Sequence, residues 1–225
     1  MSMRGQTQKL KMNDGAEIGV YHVQPTGARR GGLVLIQEIF GVTPHIRQQA
    51  DAFADHGYEV LAPWLFDREA PGLEAGRTPE DMQNCMKLAR ELHPFAQSVA
   101  DTQSCIDHLA PRGPVFLTGY CYGGSVTWAA ACRNTGLAAA AGYYGSLIPK
   151  FAHETPKCPT LLHFGRLDAS IPMESVEAVR AAHPQVAVHV YEAGHGFNGD
   201  GEHHDDAAAA LAFERTLALF RAAGG

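Results

Sequence analysis

The sequence predicts an α/β fold: a mostly parallel central sheet covered by helices on both faces. Three observations carry that expectation. Gly32-Leu33-Val34-Leu35-Ile36-Gln37 is a near-continuous apolar run, the kind buried on both faces of a parallel sheet. Short apolar segments alternate along the chain with longer stretches of helical pattern. The run Pro114-Val115-Phe116-Leu117-Thr118 then passes through Gly119-Tyr120-Cys121-Tyr122-Gly123-Gly124 into Ser125-Val126-Thr127-Trp128-Ala129-Ala130, which reads as strand, sharp turn and helix.

Residues 8–12 and 16–23 flank Asn13-Asp14-Gly15 and read as an N-terminal β-hairpin, about 8–23. Pro25 to Gly32 is a polar connection to the first buried strand. A helix is expected over 44–57, opening at Pro44 and closing at His56-Gly57. Tyr58 to Ala62 is the next strand, ended by Pro63, and 63–78 is a Pro-, Gly- and Trp-containing irregular excursion. Helices are expected at about 79–91 and 94–110, before the strand at 114–118. Leu137 to Tyr143, Thr160 to Phe164 and Val186 to Tyr191 are further strands, with helices at about 172–182 and 203–223. Right-handed crossovers follow from such alternation. No internal stretch has linker composition, so residues 1–225 are expected to form one domain.

A formal net charge of −6 with 19% charged residues gives no broad attraction to nucleic acid or to an anionic membrane. Five cysteines at 85, 105, 121, 132 and 158 form no C-x-x-C pair and no even disulfide framework, so a reducing, cytoplasmic setting is expected. The start, Met1-Ser2-Met3-Arg4-Gly5-Gln6-Thr7-Gln8-Lys9, lacks the apolar stretch of a signal peptide, and no apolar run is long enough to span a membrane. A monomer or small homo-oligomer is expected.

The strand-turn-helix at Cys121 carries the chemistry. It matches the nucleophile elbow G-x-S-x-G of an α/β-hydrolase, with cysteine in place of serine. A thiolate there gains from unpaired backbone donors and the helix dipole. The base is expected late in the chain after a final strand. His195 meets that demand in Tyr191-Glu192-Ala193-Gly194-His195-Gly196-Phe197. The orienting acid is expected between them, at another strand end. Asp168 in Phe164-Gly165-Arg166-Leu167-Asp168-Ala169-Ser170 fits, although a turn or helix-capping aspartate is the plainer reading of the same residue. The order Cys121, Asp168, His195 is the α/β-hydrolase order. An oxyanion needs preorganised donors, and the backbone N–H of Tyr122 is one. A second is expected from the loop after strand 32–37, at Glu38 or Ile39. Glu38 itself is a carboxylate at the end of an apolar strand, able to hold the resting thiol or move its proton.

Four segments together resemble the dienelactone hydrolase, or carboxymethylenebutenolidase, family. They are Gln37-Glu38-Ile39-Phe40-Gly41-Val42, Gly119-Tyr120-Cys121-Tyr122-Gly123-Gly124, Gly142-Tyr143-Tyr144-Gly145 and Gly194-His195-Gly196-Phe197. The similarity runs from about residue 10 to residue 220. It implies hydrolysis of a cyclic enol-lactone through a Cys-Asp-His triad, no metal or organic cofactor, and a setting in aromatic hydrocarbon catabolism. It selects Ile39 as the second oxyanion donor and places Glu38 against the resting thiol. It makes Arg47 a charge partner near Glu38, and Tyr144 a pocket residue.

The chain also departs from that family. Two arginines and a tyrosine are expected to hold a substrate carboxylate; Met82, Met86 and Gly199 stand in their places. Methionine and glycine cannot form a bidentate clamp. Arg77, Lys87 or Arg166 are the cations available to compensate. Phe40, Trp64, Met82, Met86 and Phe197 are candidates for a more apolar pocket. The expected substrate is a small-molecule lactone or activated ester, with neutral aryl or enol esters as the alternative to the dienelactone. A nonenzymatic small-molecule-binding protein on the same scaffold is the second alternative. Twelve histidines raise the question of metal, and Glu202-His203-His204-Asp205-Asp206 is the densest cluster. Adjacent histidines at a helix start point to different faces, so solvated helix-end residues are expected there.

Overall fold

The computed structural model describes residues 4–225, so the expectation for Met1 to Met3 lies outside the described residues. Eight strands form one sheet in the order β1-β2-β4-β3-β5-β6-β7-β8. β1 (Gln6–Lys11) and β2 (Glu17–Val23) are the expected antiparallel hairpin, and β2 pairs antiparallel with β4 (Tyr58–Pro63). From β4 through β3 (Gly31–Ile36), β5 (Val115–Tyr120), β6 (Leu137–Tyr143), β7 (Thr160–Gly165) and β8 (Ala187–Tyr191), every pairing is parallel.

The buried strands feed two cores by the two-residue period of a pleated strand. Leu33, Leu35, Val60, Ala62, Phe116 and Tyr120 face one core. Val34, Ile36, Leu61, Val115 and Leu117 face the other. The first core is closed by α1 (Pro44–Asp55), α5 (Met173–Ala182) and α6 (Asp206–Ala222), through residues such as Phe53, Val179 and Phe220. The second is closed by α3 (Phe95–Leu109) and the apolar face of α4 (Tyr122–Arg133), through Ile106, Leu109, Val126 and Ala130. Both faces of the parallel sheet are thus covered, which is why its strands lack a polar face.

Element ends differ from expectation where tertiary contacts intervene. α2 (Pro79–Lys87) opens on a capping box between Thr78 and Asp81, but Leu88–Leu92 widen into a π-helical turn. The His93 N–H closes that turn on the Leu88 carbonyl at 2.8 Å. The His93 ring is pinned between Glu69 (2.9 Å) and Ser98 (2.9 Å), and Pro94 caps the next helix. The last helix begins at Asp206 rather than at 203, because the Asp205 side chain caps it by accepting from the Ala208 N–H (2.9 Å). His203 and His204 therefore precede the helix. The His204 ring bonds the Gly199 carbonyl at 2.7 Å and Asp206 at 2.9 Å. Among the described residues, no group of three His, Cys, Asp or Glu has the geometry to hold a metal ion. No described helix is long and apolar enough to cross a membrane.

The order β4-β3-β5 reverses the direction in which the sheet grows. After β3 the chain crosses to one side for β4, then returns past β3 to place β5 on the other. A crevice opens at such a switch point, outside the carboxyl ends of the strands. Glu38 and Cys121 flank it.

Candidate active site

Strand register assembles the site. Ile36 pairs with Gly119 across β3 and β5, so Glu38 and Cys121, each two residues further on, leave the sheet at one level about one strand spacing (~4.8 Å) apart. Tyr120 pairs with Tyr143, which sets Tyr144 beside Cys121 on the other side. Gly165 pairs with Tyr191, so the loops carrying Asp168 and His195 leave neighbouring strand ends together.

Cys121 sits alone at the turn, with φ 55° and ψ −111°. For a residue with a Cβ this left-handed backbone costs ~1–3 kcal/mol, so the surroundings must hold it. The Cys121 N–H donates to the Tyr143 carbonyl (3.0 Å), and its own carbonyl accepts from the Ser125 N–H (3.2 Å). The glycines give the helix room to start directly against the sheet. A Cβ on Gly123 would lie 2.5 Å from the Ile36 carbonyl oxygen, and one on Gly124 only 2.2 Å from that of Tyr143.

Three expected residues meet in line. His195 Nε2 lies 3.1 Å from Cys121 Sγ, and its Nδ1 lies 2.6 Å from Asp168 Oδ2. Asp168 is buried, and its other oxygen accepts the Ser170 N–H at 2.8 Å. It is both a turn aspartate and the partner of His195, one role per oxygen. Burial of His195 opposes a proton on the ring, but the hydrogen bonds to Asp168 and Cys121 and their charges outweigh it and push the imidazole up to about 10.

Tyr122 is the first residue of α4, and the first N–H groups of a helix have no intrahelical partner. Its ring is fixed from behind: the Tyr122 hydroxyl bonds Ser98 Oγ (2.8 Å), which bonds the His93 ring (2.9 Å), which bonds Glu69 (2.9 Å). Ile39 lies in the tight turn closed by the bridge between Glu38 and Gly41. That turn needs Gly41: φ is +86°, and a Cβ there would meet the Leu73 carbonyl oxygen at 1.9 Å.

Glu38 is almost completely buried, and Arg77 donates to its Oε2 at 3.1 Å. The Arg77 guanidinium stacks 4.7 Å over the Phe40 ring and also donates from Nε (3.1 Å) and Nη2 (2.5 Å) to Asp200 Oδ1. Burial opposes ionisation of Asp200, but the hydrogen bonds and charge of Arg77 hold its carboxyl below the usual range. Gly199 is set between these groups: a Cβ on it would lie 3.5 Å from Arg77 Nη2 and 3.9 Å from Glu38 Oε1. Arg47 ion-pairs with Glu74 and lies over the Tyr21 and Trp64 rings. Of the three compensating cations, Arg77 reaches Glu38, whereas Arg166 pairs with Glu192 at 2.5 Å and Lys87 is exposed in the last turn of α2.

The pocket candidates divide. Met82 is exposed and Met86 half-buried on α2. Phe197 is not a pocket wall: it is fully buried among Tyr143, Tyr144 and Tyr191, because the loop turns its ring into the core. Trp64 is likewise buried, its indole N–H donated to the Leu73 carbonyl at 3.1 Å. Tyr144 is fully buried with φ 36° and packs edge-on to His195 at 5.2 Å. Its hydroxyl has no hydrogen-bond partner among the described residues. Burial, with the neighbouring Glu38 and Cys121 charges, keeps that phenol far above its ordinary range.

The sequence marks Arg77 only as one of three possible cations, places Asp200 only in the segment Asn198-Gly199-Asp200 that replaces an expected arginine, and gives no role to His93 or Ser98. The one local signal near Asp200 was its place in the loop after His195. No local motif marks His45 either. It is buried on α1, with Nε2 lacking a partner among the described residues. Burial pulls its pKa down against the charges of Glu38 and Asp200.

The sheet order, the elbow at the switch point and the thiol, imidazole and carboxylate aligned there define an α/β-hydrolase. The chain matches the family model described as the dienelactone hydrolase family over residues 18–224, and it belongs to that family. A Salmonella typhimurium protein provisionally named carboxymethylenebutenolidase is 33% identical over 242 residues, covering 95% of this chain and 86% of that protein. The carboxymethylenebutenolidase of Pseudomonas putida is 32% identical over 219 residues, covering 92% of each. A crystal structure from Klebsiella pneumoniae, provisionally identified as a dienelactone hydrolase, superposes with a TM-score of 0.83 at 30% identity, covering 96% of this chain and 98% of that one.

Proposed function

We propose that this protein hydrolyses lactones or activated esters through a thioacyl-enzyme on Cys121. The observation that carries the proposal is the alignment of Cys121 Sγ, His195 and Asp168 at 3.1 and 2.6 Å. His195 takes the thiol proton and keeps it as an imidazolium oriented by Asp168. The thiolate attacks the substrate carbonyl carbon, and the C–O π pair moves onto oxygen. The N–H groups of Tyr122 and Ile39 hold that oxyanion. When it collapses, the ring C–O bond breaks and the leaving oxygen takes the proton from His195. In a lactone this oxygen stays tethered to the acyl group. His195 then removes a proton from water, which attacks the thioester, and a second collapse returns the thiolate.

A thiolate leaves a tetrahedral adduct more readily than an alkoxide does. Forward partitioning is therefore favoured by a leaving group of comparable or lower basicity, such as an enolate or a phenolate. That preference supports enol lactones, enol esters or aryl esters over plain alkyl esters. Glu38 leaves the sheet one strand away from Cys121 but bonds Arg77, while the thiol faces His195, so Glu38 acts on the resting thiol through its charge rather than through a direct hydrogen bond.

The test is rapid mixing with 4-nitrophenyl acetate and an enol lactone. Wild type is expected to release a stoichiometric burst of nitrophenolate, and Cys121→Ala none, with its circular dichroism unchanged. A burst that survives Cys121→Ala overturns the thioacyl route on Cys121, and no turnover of any activated ester or lactone by wild type overturns hydrolysis and leaves a binding protein.

A further inference from the structure

One side chain beside the site carries opposing ties that the hydrolytic steps do not use. Arg77 is the cation bonded to buried Glu38, yet the same nitrogen is shared with Asp200, at 3.1 and 2.5 Å respectively. The burial of the three groups is graded. The Glu38 side chain is 4% exposed, that of Arg77 38% and that of Asp200 54%. Glu38 is therefore fixed, Arg77 lies at the mouth of the crevice, and Asp200 caps it from outside. Phe40 forms a flat floor under the guanidinium, leaving its edge for hydrogen bonding. Gly199 keeps this corner free of a side chain.

We infer that Asp200 stands in for a substrate anion on Arg77, so that the site selects uncharged lactones and esters over carboxylated ones. The inference rests on the reading that ester or lactone binds beside Cys121. One guanidinium shared between two carboxyl groups leaves the corner without a net positive charge. An incoming carboxylate must displace Asp200 to reach Arg77 and meets its repulsion on the way. A neutral ring meets neither cost. Removing the Asp200 charge turns Arg77 into a carboxylate receptor, since its outward N–H groups then lack an ionic partner at Asp200.

Calorimetric titration with furan-2-carboxylate and its neutral amide, at low ionic strength, tests this on wild type, Asp200→Asn and the double variant D200N/R77A. Asp200→Asn is expected to bind the carboxylate about tenfold more tightly than wild type, the scale of one ionic hydrogen bond gained. The amide is expected to show no such gain. The gain should vanish in the double variant and shrink with added salt. With carboxylated and methyl-esterified versions of one lactone, the ratio of kcat/KM should shift toward the acid by a similar factor, through KM. Equal carboxylate affinity in wild type and Asp200→Asn overturns the inference. So does a gain that survives loss of Arg77, an equal gain for the amide, or undetectable carboxylate binding to Asp200→Asn. The titration needs no turnover. An absent acyl-enzyme burst alongside the affinity change would sink the hydrolytic reading alone, and an intact burst without the change would sink only the role of Asp200.

Discussion

Replacing Asp168 by asparagine probes what one buried carboxylate does for the thiol. Asp168 uses both oxygens: Oδ2 faces His195 Nδ1 at 2.6 Å and Oδ1 accepts the Ser170 N–H at 2.8 Å. In the variant, if the amide oxygen keeps Ser170, the amide NH2 faces Nδ1 and forces the proton onto Nε2. That nitrogen points at Cys121 Sγ and can then no longer accept the thiol proton. If the amide flips, the histidine keeps its tautomer but the Ser170 bond is lost, at ~1 kcal/mol. In both cases the imidazolium loses its counter-charge. A hydrogen bond to a charged group is worth ~1.5–3 kcal/mol, and the screened attraction over ~4 Å at an effective dielectric of ~20 is about 4 kcal/mol as an upper bound. A net loss of ~3–4 kcal/mol in the transition state corresponds to a fall of about 10²–10³ in kcat/KM. Stopped-flow acylation by an aryl ester, followed across pH, measures it. The nearly isosteric change is expected to leave the circular dichroism of the folded protein unchanged, so that the loss reads on the site. Acylation by Asp168→Asn within about threefold of wild type, under 1 kcal/mol, would refute the reasoning.

Two further outcomes follow from the packing and the charges. Gly124→Ala drives a Cβ to 2.2 Å from the Tyr143 carbonyl oxygen, a backbone atom that no rotamer change can move. It should destabilise the fold by ~3 kcal/mol or more in urea unfolding, and a change below ~0.5 kcal/mol would contradict the close approach. The His195 imidazole is raised from 6.5 to about 10, so its contribution to stability is complete below 6.5 and is lost as pH climbs through about 10. The unfolding temperature of wild type should therefore fall more steeply across that alkaline range than that of His195→Gln. Parallel slopes in the two proteins would show that the imidazole gains nothing from Asp168 and Cys121.

Much of the architecture was legible because it is locally encoded. The hairpin around Asn13-Asp14-Gly15, the apolar parallel strands and the Pro44 helix start each depend on residues adjacent in the chain. The strand-turn-helix at Cys121 was equally readable, since close approach at Gly123 and Gly124 admits no side chain. His195 and Asp168 were found as strand-end residues in the right order. The parallel registers of β5 to β8 explain why such residues come together. Expectation failed where a distant contact decided. Leu88–Leu92 are π-helical because His93 is pinned by Glu69 and Ser98. Phe197 joined the core because three tyrosines from other elements surround it.

By itself, the sequence determined the alternation of elements, the elbow and the chain order of thiol, carboxylate and imidazole. It also showed that Met82, Met86 and Gly199 cannot clamp a carboxylate. Only the tertiary structure decided what stands there instead: Arg77, tied to Glu38 across 39 residues and to Asp200 across 123. Backbone conformation and apolar periodicity depend on near neighbours and leave a mark in any short window. An ion pair depends on where two side chains end after the sheet has closed, and neither residue carries a sign of the other.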